Sequence, residues 1–460
     1  MVKMLNFSYK FTNKFCLKAV DSNHKINGYE NYQEPYTIFN PNFNEYYVVL
    51  NSNVDGNELF RTLIKFISSQ TKNNFDIDLN SFLDIINVKE HEKLIAIVVD
   101  ALEYGSTIPW TMNKKTLEND VNHNLVISDG YEKMVNEYLV VSKDKTFVRK
   151  LQDMPSNFVN PFGFEKLMTE HLSKLDNVKI KILNCDELKQ NNMNLLLAVG
   201  AGCKKSEDQS RLMIVEYTPN PNDNYKLGFV GKGVCFDTGG LNIKTGNYMR
   251  WMKYDMSGAA IVGSLIHSLA TNKIKTNVAV AMPLVLNLAG ESSYRPDDVL
   301  VAHNGMSVEI DNTDAEGRLI MADSLSYLAK ELKVNELYDV ATLTGAMIYA
   351  LGDTYTGVWT NQNELWNIIS TAADNAGELV WRLPFHHDFK DLLKSKFADI
   401  ANSVSSPKGG SSRAAMFLKE FTHNLPYAHF DVAGTADKGD VGTGIMLHTF
   451  YNIVKSKQSQ

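Results

Sequence analysis

The chain has 460 residues, more than one hydrophobic core normally serves, so two or three domains are expected. Hydrophobic residues make up 44% and charged residues 22%, the proportions of an ordinary globular protein. The formal net charge of −7 and a pI near 5.9 offer no global attraction to nucleic acid or to an anionic membrane.

The first residues, MVKMLNFSYKFTNKF, lack an uninterrupted apolar run, so no signal peptide is expected. No stretch reaches the roughly 18 apolar residues that span a bilayer. Cys16, Cys185, Cys203 and Cys235 are widely spaced and form no CxxC pair, which speaks against a disulfide framework or a thiolate zinc site. A cytoplasmic protein is the reading that follows.

Residues 1–148 read as a small α/β domain to which no chemistry can be assigned. YYVVLN and KLIAIVVDAL read as strands or strand-to-helix passages, and NELFRTLIKFIS as a helix by its apolar spacing. Residues 149–175 carry two prolines around a polar turn with helical periodicity on both sides, which suits a linker. From 176 to 460 short apolar runs alternate with helices. VKIKIL, NLLLAVGAG, RLMIVEY, KLGFVGKGVCFDTGG, TNVAVAMPLVLN and LYDVATLTG are the runs. SGAAIVGSLIHSLATNK, LIMADSLSYLAKEL and ELWNIISTAADNA lie between them. The expected fold is α/β: a small N-terminal α/β domain followed by a larger one with a mixed, mostly parallel sheet covered by helices. In such sheets, sites lie at the carboxyl ends of strands.

DNTDAEGR, residues 311–318, precedes the buried helix LIMADSLSYLAKEL and sets three carboxylates and an arginine in eight positions. Thr313 and Glu316 fit a capping box, and acids are favoured at a helix start in any case. Upstream, Lys232 interrupts an apolar strand, and a buried ammonium is costly unless paired. Asp237 precedes a Thr-Gly-Gly turn, and Asp255 precedes a small-residue helix. Four carboxylates at close range, Asp237, Asp255, Asp314 and Glu316, do not all stay ionised unaided. Two divalent cations would neutralise them, and a metal can displace the proton of a lysine amine. Lys244 and Arg318 then remain as surplus cations, suited to charge that develops in a transition state.

This arrangement closely resembles the leucyl aminopeptidase (cytosol aminopeptidase) family of dimetal exopeptidases. The likeness rests on NTDAEGR, on the spacing of Lys232, Asp237, Lys244 and Asp255, and on DVATLTGAM, WRLPF, FADIANS, RAAMFLKEF and AHFDVAGTA, across roughly residues 149–450. The resemblance implies a tightly held metal on Lys232, Asp237, Asp255 and Glu316, and a more exchangeable one on Asp237, Asp314 and Glu316. Zinc is expected in the first, with manganese, cobalt or magnesium possible in the second. It further implies hydrolysis of the N-terminal residue of peptides by a water bridging the metals. Lys244 would polarise the carbonyl, and Arg318 would hold a bicarbonate ion as general base, cradled by the amides of Ala315, Gly317, Arg318 and Leu343.

By the same likeness Met252, Asn312, Thr342 and Gly345 line the pocket for the first side chain, although Met252 also reads as core packing and Thr342 as an ordinary strand residue. Asp440 or Val441 would stand at that pocket's far wall, where Gly442-Thr443-Gly444 replaces the family's glycine-arginine-proline run. Asp323 is expected to make a structural hydrogen bond, and His386 and His387 to have no metal role. A homohexamer acting on peptides with a free N-terminus is implied, with no membrane and no nucleic-acid partner. Phosphate-ester hydrolysis, which also suits a carboxylate dimetal centre, is the alternative enzyme class, and DNA binding the alternative non-catalytic role.

Overall fold

The computed structural model describes residues 6–21, 37–40, 43–50, 55–70, 73–113, 123–406 and 408–458. The chain divides into two compact units: residues 1–146 with 371–379, and 147–370 with 380–460. The helix Glu132–Asp153 runs through the first division, so the boundary is marked by no break in secondary structure.

In the first unit the strands are β1 (Asn6–Ser8), β2 (Phe15–Asp21), β3 (Thr37–Asn40), β4 (Glu45–Leu50), β5 (Phe75–Asp78) and β6 (Asn124–Val126), in the spatial order β1-β6-β5-β2-β4-β3. All pairings are parallel except β3 with β4. The helix Gly56–Ser69 buries Leu59, Leu63, Phe66 and Ile67, a 3–4 spacing that puts one apolar stripe on the core. Asp55 caps it, its carboxylate accepting from the amides of Asn57 and Glu58. KLIAIVVDAL is not a strand. It lies within the helix His91–Ser106, buried on most of its faces, so its continuous apolar run satisfies a helix at the centre of this unit as well as it would a strand.

The second unit holds β7 (Val178–Leu183), β8 (Arg211–Tyr217), β9 (Lys226–Gly231), β10 (Gly233–Asp237), β11 (Asn277–Asn287), β12 (Val299–Val301), β13 (Ser307–Glu309), β14 (Glu336–Ala341), β15 (Thr356–Trp359), β16 (Val380–Arg382), β17 (Ile400–Ala401) and β18 (Tyr427–Asp431). The main sheet runs β16-β15-β18-β14-β9-β11-β8-β7, with β10 also on β11. Five of its eight pairings are parallel, so it is mixed and mostly parallel. β11 is buried at every position, as a central strand covered on both faces must be. NLLLAVGAG forms no strand: Asn194–Val199 is a short helix, followed by a single tight turn at Gly200–Gly202. A small sheet, β12-β13-β17, stands beside the main one.

KLGFVGKGVCF is two strands, not one. β9 and β10 both pair with β11, and Lys232 lies in the break between them. Its amide donates to Val340 O at 3.0 Å and its carbonyl accepts from Ala259 N at 2.8 Å. That interruption aims a charged side chain out of an apolar sheet at its carboxyl end. The helix Ser257–Thr271 comes unusually close to it: a Cβ on Gly258 would lie 2.0 Å from Val340 O and 2.6 Å from Lys232 N.

Candidate metal centre

Every charged residue singled out at 232–318 belongs to the second unit, and most cluster at the carboxyl ends of β9, β10 and β14. Asp237 ends β10, Asp255 sits in a single 3₁₀ turn, Met252–Met256, and Glu316 opens the helix Glu316–Lys330. Asp237, Asp255 and Glu316 are all buried, with one carboxylate oxygen of each within 4.8 Å of the others.

Lys232 threads among them. Its Nζ lies 2.7 Å from Asp255 Oδ1 and 3.0 Å from Glu316 Oε1, and donates to Thr342 O at 2.9 Å. Gly317 makes the room, because a Cβ there would meet Lys232 Cε at 2.4 Å. Lys244 lies 2.7 Å from Asp237 Oδ2 and 2.6 Å from Asp314 Oδ1. Four carboxylates thus face two ammonium groups, which if all were ionised would leave two negative charges uncompensated.

The titration behaviour follows. Burial would lower the pKa of Lys232, but Asp255, Glu316 and Asp237 outweigh it and hold the ammonium protonated. Lys244 is raised in the same way against the same desolvation, by Asp237, Glu316 and Asp314. Burial first, then Asp237, pushes Glu316 well above the usual carboxylate range, and Asp314 is raised by burial, Asp237 and Glu316. Asp255 is also raised, chiefly by burial.

Among the described residues, Asp255 Oδ2 and Glu316 Oε2 are buried with no hydrogen-bond partner. Orphaned buried carboxylate oxygens are costly, and here they point to a cation supplied from outside the chain. The donor set is oxygen with one amine, which suits zinc, manganese, cobalt or magnesium, so the residues fit the metals expected of them.

The capping box does not form. Thr313 Oγ1 donates to Gly239 O at 2.6 Å and accepts from Asn242 N at 2.8 Å, and the helix begins after Ala315 with no side-chain cap. The threonine is spent on tying the 311–318 loop to the loop after β10, and Glu316 is left free for the centre. Arg318 is buried, with Nη1 donating to Asn402 O at 2.7 Å and Nε without a partner; burial lowers its pKa to about 10. Ala315 and Gly317 flank Glu316 directly. The amide of Leu343 donates to Asp431 Oδ1 at 3.2 Å.

Of the residues expected in the pocket, Met252 lies in the turn that carries Asp255, half-buried. Asn312 uses its side chain to accept from Asp314 N at 2.8 Å. Thr342 donates to Asp255 Oδ1 at 2.8 Å, so its hydroxyl orients a carboxylate of the centre. Gly345 is exposed and opens the helix Gly345–Leu351. Asp440 and Val441 sit in a hairpin, exposed, and Tyr254 Oη donates to Asp440 O at 2.6 Å, attaching that hairpin to the Met252–Met256 turn. Asp323 accepts from His303 N and Leu196 N at 2.8 and 3.1 Å. His386 and His387 are exposed beside Asp388, on the surface.

Four further residues hold the centre in shape and were not anticipated. Asn287 donates to Asp237 Oδ1 at 2.8 Å and to Thr313 O at 3.0 Å. Tyr294 donates to Thr313 O at 2.7 Å. Asp431 accepts from Thr344 Oγ1 at 2.6 Å as well as from Leu343 N. Asn402 binds the 311–315 loop from its other side. Asn402 and Asp431 lie in FADIANS and AHFDVAGTA, but an uncharged amide or a strand-end acid carries no local signature of its role.

No described helix is long and apolar enough to cross a membrane. Residues 146–451 match the family model described as the catalytic domain of the cytosol aminopeptidase family. A probable cytosol aminopeptidase of Mycoplasma pneumoniae is 44% identical over 393 residues, 85% of this chain and 87% of that one. The cytosol aminopeptidase of Encephalitozoon cuniculi is 40% identical over 332 residues, 71% of this chain and 68% of that one. Among solved structures, the bottromycin maturation enzyme BotP in complex with Mn shares the fold with a TM-score of 0.85, at 22% identity, covering 97% of this chain and 100% of that one. The chain therefore belongs to the cytosol aminopeptidase family, as a metal-dependent peptide-bond hydrolase of the leucyl aminopeptidase type.

Proposed function

We propose that the chain removes the N-terminal residue from peptides at a centre of two divalent ions. The observation that carries this reading is the convergence of three buried carboxylates and Lys232, with Asp255 Oδ2 and Glu316 Oε2 unpartnered. Lys232, Asp237, Asp255 and Glu316 would hold one ion, zinc by preference. Asp237, Asp314 and Glu316 would hold the second, which zinc, manganese, cobalt or magnesium can fill. When bound, the ions supply a Lewis acid for the scissile carbonyl and an attacking water of lowered pKa.

The chain's own groups do the rest. Lys244, on a flexible four-carbon stem, leaves Asp237 and Asp314 to donate to the carbonyl oxygen as charge develops there. Arg318, anchored through one arm to Asn402 O, has an unpartnered Nε that would hold a bicarbonate ion, which when bound would supply a general base. The amides of Ala315, Gly317, Arg318 and Leu343 would complete that seat, once Leu343 N leaves Asp431 Oδ1 and Ala315 N leaves Asn312 O. Met252, Asn312, Thr342 and Gly345 shape the pocket for the first side chain, with Asp440 or Val441 at its far wall; an acid there would favour basic or polar first residues. The enzyme works in the cytoplasm as a homohexamer, without membrane or nucleic-acid partners, on peptides with a free N-terminus. The chemistry is placed in a catalytic domain at 176–460, preceded by a linker at 149–175 and an N-terminal α/β domain at 1–148 to which none is assigned.

The test is release of free amino acid from a panel of aminoacyl-amides and dipeptides, with zinc or manganese added, by wild type and Glu316→Ala. Metal-dependent release that the variant loses is the expected result. A wild type with metals bound that releases no residue from any member of the panel, yet cleaves a phosphate ester, would replace this reading with the phosphoesterase one.

A further inference from the structure

Asn402 follows β17 directly and is wholly buried. Its side chain is used at both ends. Oδ1 accepts from the amides of Asp311 at 2.8 Å and Asn312 at 3.2 Å, while Nδ2 donates to Asn312 O at 2.8 Å and Ala315 O at 3.4 Å. Its own carbonyl receives Arg318 Nη1 at 2.7 Å. One residue, some ninety positions away in sequence, therefore grips the loop on either side of Asp314 and the guanidinium two residues past Glu316. Thr313 is held on the opposite side by Gly239, Asn242, Asn287 and Tyr294. With Thr313 clamped on that side alone, Asn312 and Ala315 would each be free to turn, and the Asp314 carboxylate with them.

The strand that delivers Asn402 is itself registered on β13, Val308 opposite Ile400 and Glu309 opposite Ala401, and Asn402 N donates to Glu309 O at 2.8 Å. Asn402 thus transmits the position of a rigid strand end to a loop that has no regular structure of its own. An asparagine is required for this. The site needs two acceptor contacts and two donor contacts from one short side chain, and only a carboxamide offers both.

We propose that Asn402 is a positioning residue of the centre, which sets Asp314 and the Ala315 carbonyl relative to Glu316 and so fixes the affinity of the metal held by Asp237, Asp314 and Glu316. The inference rests on the two-metal reading. Residues that orient metal ligands from outside commonly contribute tenfold to a hundredfold in affinity.

The experiment is a titration of chelator-stripped protein with zinc and with manganese, by calorimetry and by competition with a chromogenic chelator. It compares wild type with Asn402→Ser, which deletes the carboxamide, and Asn402→Leu, which keeps its branched shape without its polar atoms. Asp399→Ala is the control: Asp399 accepts from Ser307 N and Oγ at 2.8 and 2.7 Å, so it anchors the same strand without touching the loop. The expected result is two ions on wild type and on Asp399→Ala. Both Asn402 variants should keep the first ion within about threefold and bind the second at least about tenfold more weakly. Equal affinities for both ions in either folded Asn402 variant would overturn the inference, as would a loss shared equally by both ions and by Asp399→Ala. A wild type that takes up fewer than two ions would overturn the two-metal reading and this inference with it.

Discussion

Lys244 touches two acids of the centre and is the ammonium best able to move, being more exposed than Lys232. Lys244→Met should lower kcat by about 100- to 1000-fold, the scale for losing one charge-stabilising donor, with KM changed by less than about tenfold. Steady-state kinetics on one aminoacyl-amide decide it, and a variant that changes KM alone would reassign Lys244 to ground-state binding. Away from the centre, His303 contacts Ser326 Oγ at 2.7 Å, and its pKa is pushed down to about 4 by burial first and by Lys330 second. The unfolded chain's histidine titrates near ~6.5. As pH falls from there toward 4, the unfolded state takes up a proton that the folded state refuses, so this residue's contribution to stability declines over that window. His303→Asn should therefore flatten the fall of the denaturant midpoint between pH 6.5 and 4; an unchanged slope would remove His303 as its cause.

The helix Ser257–Thr271 is pressed against the sheet where Lys232 emerges, and Gly258 is the contact. A methyl group there would strike Val340 O and the backbone at Lys232, atoms held in the sheet and unable to yield cheaply. Gly258→Ala should cost about 1–3 kcal/mol in chemical denaturation and, by displacing the adjoining Asp255 turn, weaken metal binding as well. A variant that loses stability but binds metal as wild type does would show that the turn moves independently of the helix. The first part of this element was plain in the sequence: a small-residue helix with an acid before it. The crossing was not, because closeness to Val340 depends on a strand eighty residues further on. NLLLAVGAG and KLIAIVVDAL show the same limit, since short apolar runs suit a buried helix and a buried strand equally.

Across the whole chain, the centre gathers four acids, at least three with raised pKa values, whose ionised form a divalent ion would favour. Zinc or manganese should raise the thermal midpoint of chelator-stripped protein in a concentration-dependent way, since an ion held more tightly by the folded than by the unfolded chain stabilises the fold. No shift with either ion would contradict the assembly of carboxylates as a metal site. The proposed hexamer would have six times the chain mass of 51.7 kDa in light scattering; a monomer or dimer at micromolar concentration would reject it.

What the sequence by itself determined was a candidate set, the acids and cations of NTDAEGR and of the Lys232-to-Asp255 spacing, because these are local patterns whose residue types are chemically unusual in apolar surroundings. The alternation of strand and helix over 176–460 was legible for the same reason, periodicity being a property of neighbours. The tertiary structure decided how those residues are held. Thr313 reads as a cap and serves as a tie to Gly239, Thr342 reads as a pocket wall and bonds Asp255, and Asn402 has no local signature at all. Each of these roles is set by a partner 74 to 91 positions away, and a hydrogen bond across such a distance leaves no mark on the residues beside it.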